Sequence, residues 1–253
     1  MRSSCLTVVV LLAGSGAALA QSPLEVTNAA TFIDRNGVAP GGLASLFATL
    51  SGFNTGTALS AHWDSKLNGV QVWINGKAAP LYYVQPGGNG SGQINFQVPF
   101  EAASGAAGVT VTVNGTAVAQ GTMKIAPVSP GIFTIDFAAR QGAILNQDYS
   151  LNSASSRAQR GDVIQVFGTG QGPLQTSLED GRAPQSYSMS SQTPAAYVAG
   201  VPAAVQFSGV VGYPGLWQIN VVVPDRPFIT GPTPLVLVQN GVQSNPVTFW
   251  VVD

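Results

Sequence analysis

The chain carries one sequence plan twice. Residues 93–99 read QINFQVP and residues 218–224 read QINVVVP, so the two segments lie 125 positions apart. The spacing changes by one residue in either direction at two glycine pairs, Gly76 with Gly200 (124) and Gly115 with Gly241 (126). A period this long corresponds to a whole small domain and is too long for a solenoid repeat. We therefore expect two tandem copies of one domain.

The N-terminus has the features of a secretory signal peptide. Arg2 supplies the positive charge, residues 6–12 (LTVVVLL) form the apolar segment, and residues 18–20 (ALA) fit the small-residue cleavage rule. The apolar segment is too short to span a membrane comfortably. We expect a signal peptide over residues 1–20 and export of the mature chain to the periplasm or the extracellular space.

The composition of the mature chain excludes several classes of function. Cys5 is the only cysteine and would leave with the signal peptide, so neither disulfides nor thiol chemistry are expected. Removing Arg2 leaves nine basic and eleven acidic residues, a net charge of 9 − 11 = −2. With no basic patch, nucleic acid is not an expected partner, and no later apolar run approaches membrane length. Charged residues make up 8% of the chain, which is typical of an exported β protein with a neutral polar surface.

Short apolar runs between Gly, Pro and Asn predict strands and no helices. The predicted strands are residues 43–50, 70–74, 79–84, 93–98, 109–113, 162–167, 195–198, 203–207, 217–223, 235–238 and 247–252. Asn-Gly pairs favour type I′ hairpin turns, because both central residues of such a turn need positive φ. They occur at 75–76, 114–115 and 240–241, and a weaker Ala-Gly pair stands at 199–200.

Each repeat has room for about seven strands, the number in an immunoglobulin-like domain. The predicted fold is therefore all-β, with two tandem immunoglobulin-like β-sandwich domains at 21–127 and 128–253. Residues 126–133 (APVSPGIF) form the linker, whose prolines make it semi-rigid. Residues 171–193 are long, polar and poorly patterned, so we expect a mobile loop there.

Ten short motifs, in order, carry a family likeness. They are VTNAATF (26–32), VAPGG (38–42), INGKAAPL (74–81), SGQIN (91–95), SPGIFT (129–134), LNQD (145–148), LNS (151–153), RGDV (160–163), GTGQGP (168–173) and GLWQIN (215–220). In this order and spacing the chain resembles the uncharacterised C-terminal domain family of acidobacterial secreted proteins, the Solibacter type. The resemblance covers roughly residues 25–253. It implies immunoglobulin-like sandwiches of the TIG/E-set kind and implies no activity.

Two features depart from that family. Its members usually stand at the C-terminus of larger exported proteins, whereas here the domains make up nearly all of the chain. Tyr149 also follows residues 146–148 (NQD) where the family pattern leads us to expect a glycine.

Side chains that carry chemistry are sparse. His62 is the only histidine, so a Ser-His-Asp triad would have to use it, with Asp64 to orient the ring. No Gly-x-Ser-x-Gly elbow is present, and a surface histidine is the expected role. Glu179 and Asp180 form the only adjacent acidic pair and are expected in a solvated loop. The GTGQG run at 168–172 lacks the Lys and helix of a phosphate-binding loop, which favours a turn at a strand end.

No cofactor and no metal site are predicted. One histidine and no mature cysteine do not supply the ligands of a zinc site. Asp148, with Asn146, Asn152 and backbone carbonyls, offers oxygen ligands to calcium, but the spacing lacks the EF-hand pattern, and calcium binding stays open.

Aromatic side chains are the remaining candidates for a binding site. Trp63, Tyr82, Tyr83 and Tyr213, with Tyr187, are expected to be partly exposed, and rings beside Asn and Gln suit the stacking of neutral sugars. The three tryptophans in predicted strands, Trp73, Trp217 and Trp250, are expected in the core or at a domain interface. In a regular strand Tyr82 and Tyr83 would face opposite ways, so one of them would point away from the core.

These observations favour three functions in order. The first is a secreted, non-enzymatic structural or adhesive module at the cell surface, whose partner is a cell-surface protein or a polysaccharide. The second is a carbohydrate-binding module that uses Trp63, Tyr82, Tyr83 and Tyr213. The third, least favoured, is a hydrolase built around His62 and the Glu179–Asp180 loop.

Overall fold

The computed structural model describes residues 23–33, 36–88 and 90–252. These residues form 22 β-strands, and none of them lies in a helix. No segment of the described ranges is therefore a helix able to cross a membrane. The predicted signal peptide at 1–20 lies outside the described residues.

The first half forms two antiparallel sheets. The strands are β1 (Leu24–Asn28), β2 (Leu43–Ala48), β3 (Gly56–Thr57), β4 (Val70–Ile74), β5 (Lys77–Ala79), β6 (Leu81–Gln85), β7 (Gly92–Gln97), β8 (Gly105–Val113) and β9 (Thr116–Ile125). One sheet has the order β1-β2-β7-β6-β3 and the other the order β5-β4-β8-β9.

The second half repeats this plan with added edge strands. Its strands are β10 (Gly131–Ile132), β11 (Thr134–Asp136), β12 (Gln141–Gly142), β13 (Ile144–Leu145), β14 (Val163–Thr169), β15 (Tyr187–Met189), β16 (Ala195–Val198), β17 (Val201–Ala203), β18 (Val205–Val211), β19 (Trp217–Val222), β20 (Gly231–Gln239), β21 (Val242–Gln243) and β22 (Val247–Val251). One sheet has the order β10-β14-β19-β18-β15, with β13 also on β14. The other has the order β11-β12-β22-β20-β16-β17, with β21 also on β20.

The strand order is that of an immunoglobulin domain in both halves. Strands β1, β2, β7 and β6 correspond to A, B, E and D, and strands β5, β4, β8 and β9 to C′, C, F and G. The second half has the same order in β10-β14-β19-β18 and in β17-β16-β20-β22. The predicted all-β fold of two tandem immunoglobulin-like sandwiches is confirmed.

Each half has its own hydrophobic core, built by alternation along the strands. In β19, for example, Trp217, Ile219 and Val221 are buried while the residues between them are half-exposed. The first core draws on residues from Val26 to Ile125, and the second on residues from Ile132 to Val251.

The hairpin turns form at the Asn-Gly pairs, as the sequence predicted. Asn75 and Gly76 have φ values of 48° and 83°, as a type I′ turn requires. The Asn-Gly pairs at 114–115 and 240–241 have positive φ at both positions too. Ala199 and Gly200 adopt the same geometry (49° and 79°), so the second copy forms its hairpin despite the weaker residue.

Tyr149 also has a positive φ, 67°. This is the position where the family resemblance leads us to expect a glycine, the residue that adopts such a conformation with least strain.

The GTGQG run is a strip on which the linker packs. Its alternate glycines lie against linker carbonyl groups, in the pairs Gly168 with Gly131, Gly170 with Ser129, and Gly172 with Pro127. A methyl group at any of the three glycines would meet its carbonyl oxygen too closely. The backbone N–H of Ser129 also donates to the Gly170 carbonyl (2.9 Å). The run is thus a strand end, as the sequence favoured, and its glycines let two backbones approach each other.

The segment at 171–193 differs from the mobile loop expected there. It contains β15 (Tyr187–Met189), which pairs with β18. Its central residues 179–182, called the docking loop below, bond to the first domain. The expectation of a free loop is corrected, because its polar side chains and backbone are used in contact between the domains.

Candidate functional site: an aromatic pocket between the domains

Asp180 of the docking loop fastens the second domain to the first. Its Oδ1 accepts a hydrogen bond from the backbone N–H of Phe100 (2.8 Å). Its Oδ2 lies 2.8 Å from the Lys77 Nζ, which is also 2.8 Å from Glu101 Oε2. Hydrogen bonds with Asp180 and then Glu101 raise the pKa of Lys77 above its usual value. The group joins three chain segments at the boundary.

Gly181 continues this contact with buried partners. Its N–H donates to Gln97 Oε1 (2.7 Å), and its carbonyl accepts from the backbone N–H of Trp63 (2.8 Å). Gln97 is fully buried. The docking loop therefore positions the backbone of Trp63.

A second set of contacts positions Leu43. Thr169 Oγ1, at the end of β14, accepts a hydrogen bond from the backbone N–H of Leu43 (2.7 Å) and donates to the carbonyl of Gly215 (3.1 Å). Asn28 Nδ2 donates to the linker carbonyl of Ser129 (2.7 Å). The start of β2 is thus held beside the turn that precedes β19.

A pocket of about 170 Å³ lies where these contacts meet. Its walls are apolar or aromatic and come from both domains: Leu43, Trp63 and Tyr82 from the first, and Phe133, Tyr213 and Leu216 from the second. Because both domains supply walls, the pocket exists only while the domains are docked.

Three of the four predicted site residues line this pocket. The rings of Trp63 and Tyr82 lie 5.0 Å apart, and Tyr213 faces them from the second domain. Tyr82 is 38% exposed and Tyr213 is 51% exposed, as a contact surface requires.

Trp63 departs from its expected exposure. The side chain is only 4% exposed and its ring packs against Tyr82, so it forms a wall and not a free platform. Its Nε1 is buried and has no hydrogen-bond partner among the described residues.

Tyr83 does not line the pocket. The ladder between β6 and β7 shifts register between Leu81 and Tyr83, which is a β-bulge. Leu81 and Val84 both face the core, and neither tyrosine between them does. The expected alternation at this pair is therefore corrected. The Tyr83 hydroxyl donates to Gln85 Oε1 (2.8 Å).

Amide side chains lie on the outward face of the first sheet, the face that Leu43 shares. Asn95 pairs in the ladder with Ser45, which lies two residues after Leu43 on the same face of β2. Its Oδ1 accepts from Ser45 Oγ (3.0 Å) and from Gln93 Nε2 (2.8 Å). The Asn95 amide nitrogen then has no acceptor among the described residues and can donate to a ligand.

The His62 segment lies against the docking loop, because His62 forms an antiparallel bridge with Arg182 and the N–H of Trp63 donates to the Gly181 carbonyl. His62 Nε2 lies 3.3 Å from Asp64 Oδ1, and the two side chains are 41% and 82% exposed. The nearby Ser60 hydroxyl donates to the backbone carbonyl of His62 (2.7 Å) and makes no bond to its ring. Glu179 lies near Arg182 (3.7 Å), and Asp180 binds Lys77. The described residues do not place His62 beside a serine and a buried carboxylate.

The oxygens considered for calcium belong to an internal network. Asn152 Nδ2 donates to Asn146 Oδ1 (2.7 Å), and Asn152 Oδ1 accepts from the backbone N–H of Trp250 (2.7 Å). The Asp148 carboxylate accepts from the Ser150 N–H and hydroxyl, and these bonds hold its pKa below the usual value. Within the described ranges no group of three His, Cys, Asp or Glu side chains is placed to hold a metal ion.

Sequence reasoning missed three walls of the pocket, Leu43, Phe133 and Leu216. Leu43 and Leu216 stand at or just before a strand, out of phase with the core residues that follow. Because side chains alternate between the two faces of a strand, this position predicts that both leucines point away from the core. What lies opposite each of them depends on how the domains dock.

Comparisons with known proteins give distant likenesses in fold. No family model and no curated protein matches the chain. Solved structures that it resembles include the glucan-utilization protein SGBP-B of Bacteroides ovatus in complex with a mixed-linkage heptasaccharide. The identity is 10% and the TM-score 0.34, over 89% of this chain and 45% of that one.

Two further resemblances are the Yersinia pseudotuberculosis adhesin InvE and the titin Ig tandem domains. The adhesin is 13% identical with a TM-score of 0.26, over 90% of this chain and 58% of that chain. The titin tandem is 8% identical with a TM-score of 0.23, over 92% and 96%. This chain thus spans about half the length of the first two proteins. At these TM-scores the likenesses carry no functional argument, and the fold rests on the strand order above.

Proposed function

We propose that the protein is an exported, non-enzymatic module of two docked immunoglobulin-like domains with a structural or adhesive role at the cell surface. The docking loop is the observation that carries this proposal. Asp180 and Gly181 join the second domain to Phe100, Lys77 and Gln97 of the first. Such contacts favour one fixed arrangement of the domains, which suits a spacer or an adhesive surface. We also propose, from the family resemblance, that the module belongs to the Solibacter-type group.

Replacing Asp180 with alanine is expected to loosen the domains without unfolding them. The change removes the acceptor of the Phe100 N–H and one partner of Lys77. Because the Lys77 pair is partly exposed, its loss lowers the free energy of unfolding by less than about 1 kcal/mol. Small-angle X-ray scattering is expected to show a larger radius of gyration, and proteolysis at residues 126–133 is expected to accelerate.

Glu179→Ala is the matched control, because Glu179 is the adjacent acid of the same loop and its ion pair is with Arg182 of that loop, not with the first domain. It is expected to scatter and to be cleaved like the parent chain. Equal behaviour of Asp180→Ala and the parent would contradict a docking role for Asp180.

A second candidate function, carbohydrate binding, is favoured by the pocket. Tyr82 and Tyr213 present partly exposed rings from the two domains, and Asn95, on the sheet face shared with Leu43, keeps its amide nitrogen available to donate. Aromatic faces stack on the apolar faces of sugar rings, while amides bind the hydroxyls at their edges. This arrangement supports a neutral glycan as the ligand.

Tyr82→Ala and Tyr213→Ala are each expected to weaken retention on the bound glycan by about tenfold or more, since central aromatic contacts commonly contribute over 1 kcal/mol. The measurement is retention of residues 21–253 on a glycan array and on insoluble polysaccharides, with thermal unfolding to confirm that each variant is folded. Trp63→Ala is a poorer test, because a buried tryptophan also supports the fold.

Tyr197→Ala is the matched control for both tyrosines. Tyr197 is 37% exposed, almost as much as Tyr82, but it lies on β16 in the other sheet of the second domain. Its removal is expected to leave retention unchanged. An equal loss in all three variants would show that retention does not depend on the pocket.

A further inference from the structure

The internal repeat gives the second domain an equivalent of the amide pair of the first. Gln218 Nε2 donates to Asn220 Oδ1 at 2.8 Å, and Gln93 Nε2 donates to Asn95 Oδ1 at the same distance. Both pairs are half-exposed on the outward face of the corresponding strand. The two domains thus present the same hydrogen-bonding groups in the same geometry.

An aromatic ring accompanies the amides in both domains. Tyr83 pairs with Asn95 in the first ladder, and Phe207 pairs with Asn220 in the second. Both ladders shift register one step before that aromatic, so the β-bulge is duplicated as well. In the second domain the exposed ring of Tyr187 meets Phe207 edge-on, with centroids 5.6 Å apart.

The pocket joins these two outward faces. Leu43 lines the pocket and shares the outward face of β2 with Ser45, the ladder partner of Asn95. Leu216 lines the pocket from the other side. It lies two residues before Gln218 and so on the same outward face as Gln218 and Asn220 of β19. Both outward faces therefore adjoin the pocket, and together with it they make up the candidate surface considered below.

The size and charge of this surface indicate what it accepts. The part of the surface on each domain is called an arm. Each arm extends about 13 Å from the pocket, which is four strand residues at about 3.3 Å each. All of its members named above are uncharged, so nothing in them favours an ionic polymer. Amides alternate with aromatic and aliphatic groups along its length, which fits a chain of repeated units that have hydroxyls at the edges and apolar faces.

We propose that the chain binds a linear, uncharged polysaccharide along a surface that spans both domains. Tyr187, Phe207, Gln218 and Asn220 form the second-domain half of that surface. The proposal rests on the carbohydrate-binding function above and extends it from one pocket to a row of sugar subsites. Two arms on one ligand act together, so affinity rises with chain length until both arms are filled.

The test compares long and short ligands with the full mature chain. Folded protein is first retained on a panel of insoluble neutral polysaccharides: cellulose, xylan, mannan and starch. Calorimetry then measures affinity for oligosaccharides of increasing length from the retained polymer. We expect the affinity for the longest oligosaccharides to exceed that for the disaccharide by about a hundredfold.

A second-domain variant, Tyr187→Ala with Gln218→Ala, separates the two proposals. Both side chains are at least partly exposed and lie outside the core, and thermal unfolding checks the fold. The variant is expected to lose about tenfold or more in affinity for the longest oligosaccharide and to bind the disaccharide within about twofold of the parent.

Tyr197→Ala is again the control. Unchanged affinity of the double variant for long chains, or equal affinity of the parent for all lengths, would overturn the spanning surface while the pocket function stands. Failure of the folded parent to be retained on any polysaccharide of the panel would overturn both proposals.

Discussion

Gly170→Ala is expected to lower the free energy of unfolding by about 3 kcal/mol or more, the sum of a backbone and a packing penalty. Gly170 has a φ of 84°, in the left-handed region that L-residues adopt at a cost. Its added methyl group would also overlap the carbonyl oxygen of Ser129, which belongs to the linker backbone and cannot rotate away. The two penalties act at one atom, where the linker crosses the strand end. Urea unfolding followed by tryptophan fluorescence measures the loss.

Gly241→Ala separates the two penalties. Gly241 has a φ of 76°, similar to that of Gly170, but no atom lies within 4 Å of the position an added methyl group would take. The control is expected to lose only about 1 kcal/mol, the cost of the left-handed conformation alone. If the two variants lost equal stability, the close approach of the linker would contribute nothing.

Asn152→Ala is expected to lower the free energy of unfolding by about 3 kcal/mol, because a buried amide that satisfies several groups would be lost. Asn152 is fully buried and bonds both backbone groups of Trp250, donating to the carbonyl (2.9 Å) and accepting from the N–H (2.7 Å). It also donates to Asn146 Oδ1 (2.7 Å). Alanine would leave the Trp250 backbone and the Asn146 amide without these partners. Thermal unfolding, with Trp250 as a nearby fluorophore, measures the change.

Asn220→Ala is the control for this prediction. Its amide is half-exposed and bonds to the Gln218 side chain, so water can replace the contact. A loss below about 1 kcal/mol is expected there. A comparably small loss in Asn152→Ala would mean that the network around Trp250 rearranges without it.

The fold was readable because its determinants are local. Alternating apolar residues predicted most long strands, and the Asn-Gly pairs predicted the turns that Asn75 and Asn114 make with positive φ. The short edge strands were missed, because two- and three-residue strands such as Gly56–Thr57 have too few positions to show a period. Two longer strands, Leu24–Asn28 and Thr116–Ile125, were also not among the predicted strands. The bulge at Tyr82 and Tyr83 was missed as well, since one extra residue against a partner strand leaves no composition signal.

The candidate site was only partly readable, because it depends on how the domains dock. Aromatic type and loop position identified Trp63, Tyr82 and Tyr213 as candidates, and the pocket contains all three. The burial of Trp63 was not visible, since Gly181, which bonds to its backbone, is more than a hundred positions away in the sequence. The use of Asp180 as an interdomain contact was hidden for the same reason.

A pocket with walls from two domains makes ligand binding and domain docking mutually dependent. The undocked chain separates Tyr82 from Tyr213 and offers a ligand only half a site. Any ligand therefore shifts the equilibrium toward the docked form, by a free energy that grows with the logarithm of its concentration above Kd. The coupling is reciprocal. A change that weakens the Asp180 contact favours the undocked form and so lowers the apparent affinity for the ligand. The docking loop, which does not itself line the pocket, would then act as an allosteric control of affinity.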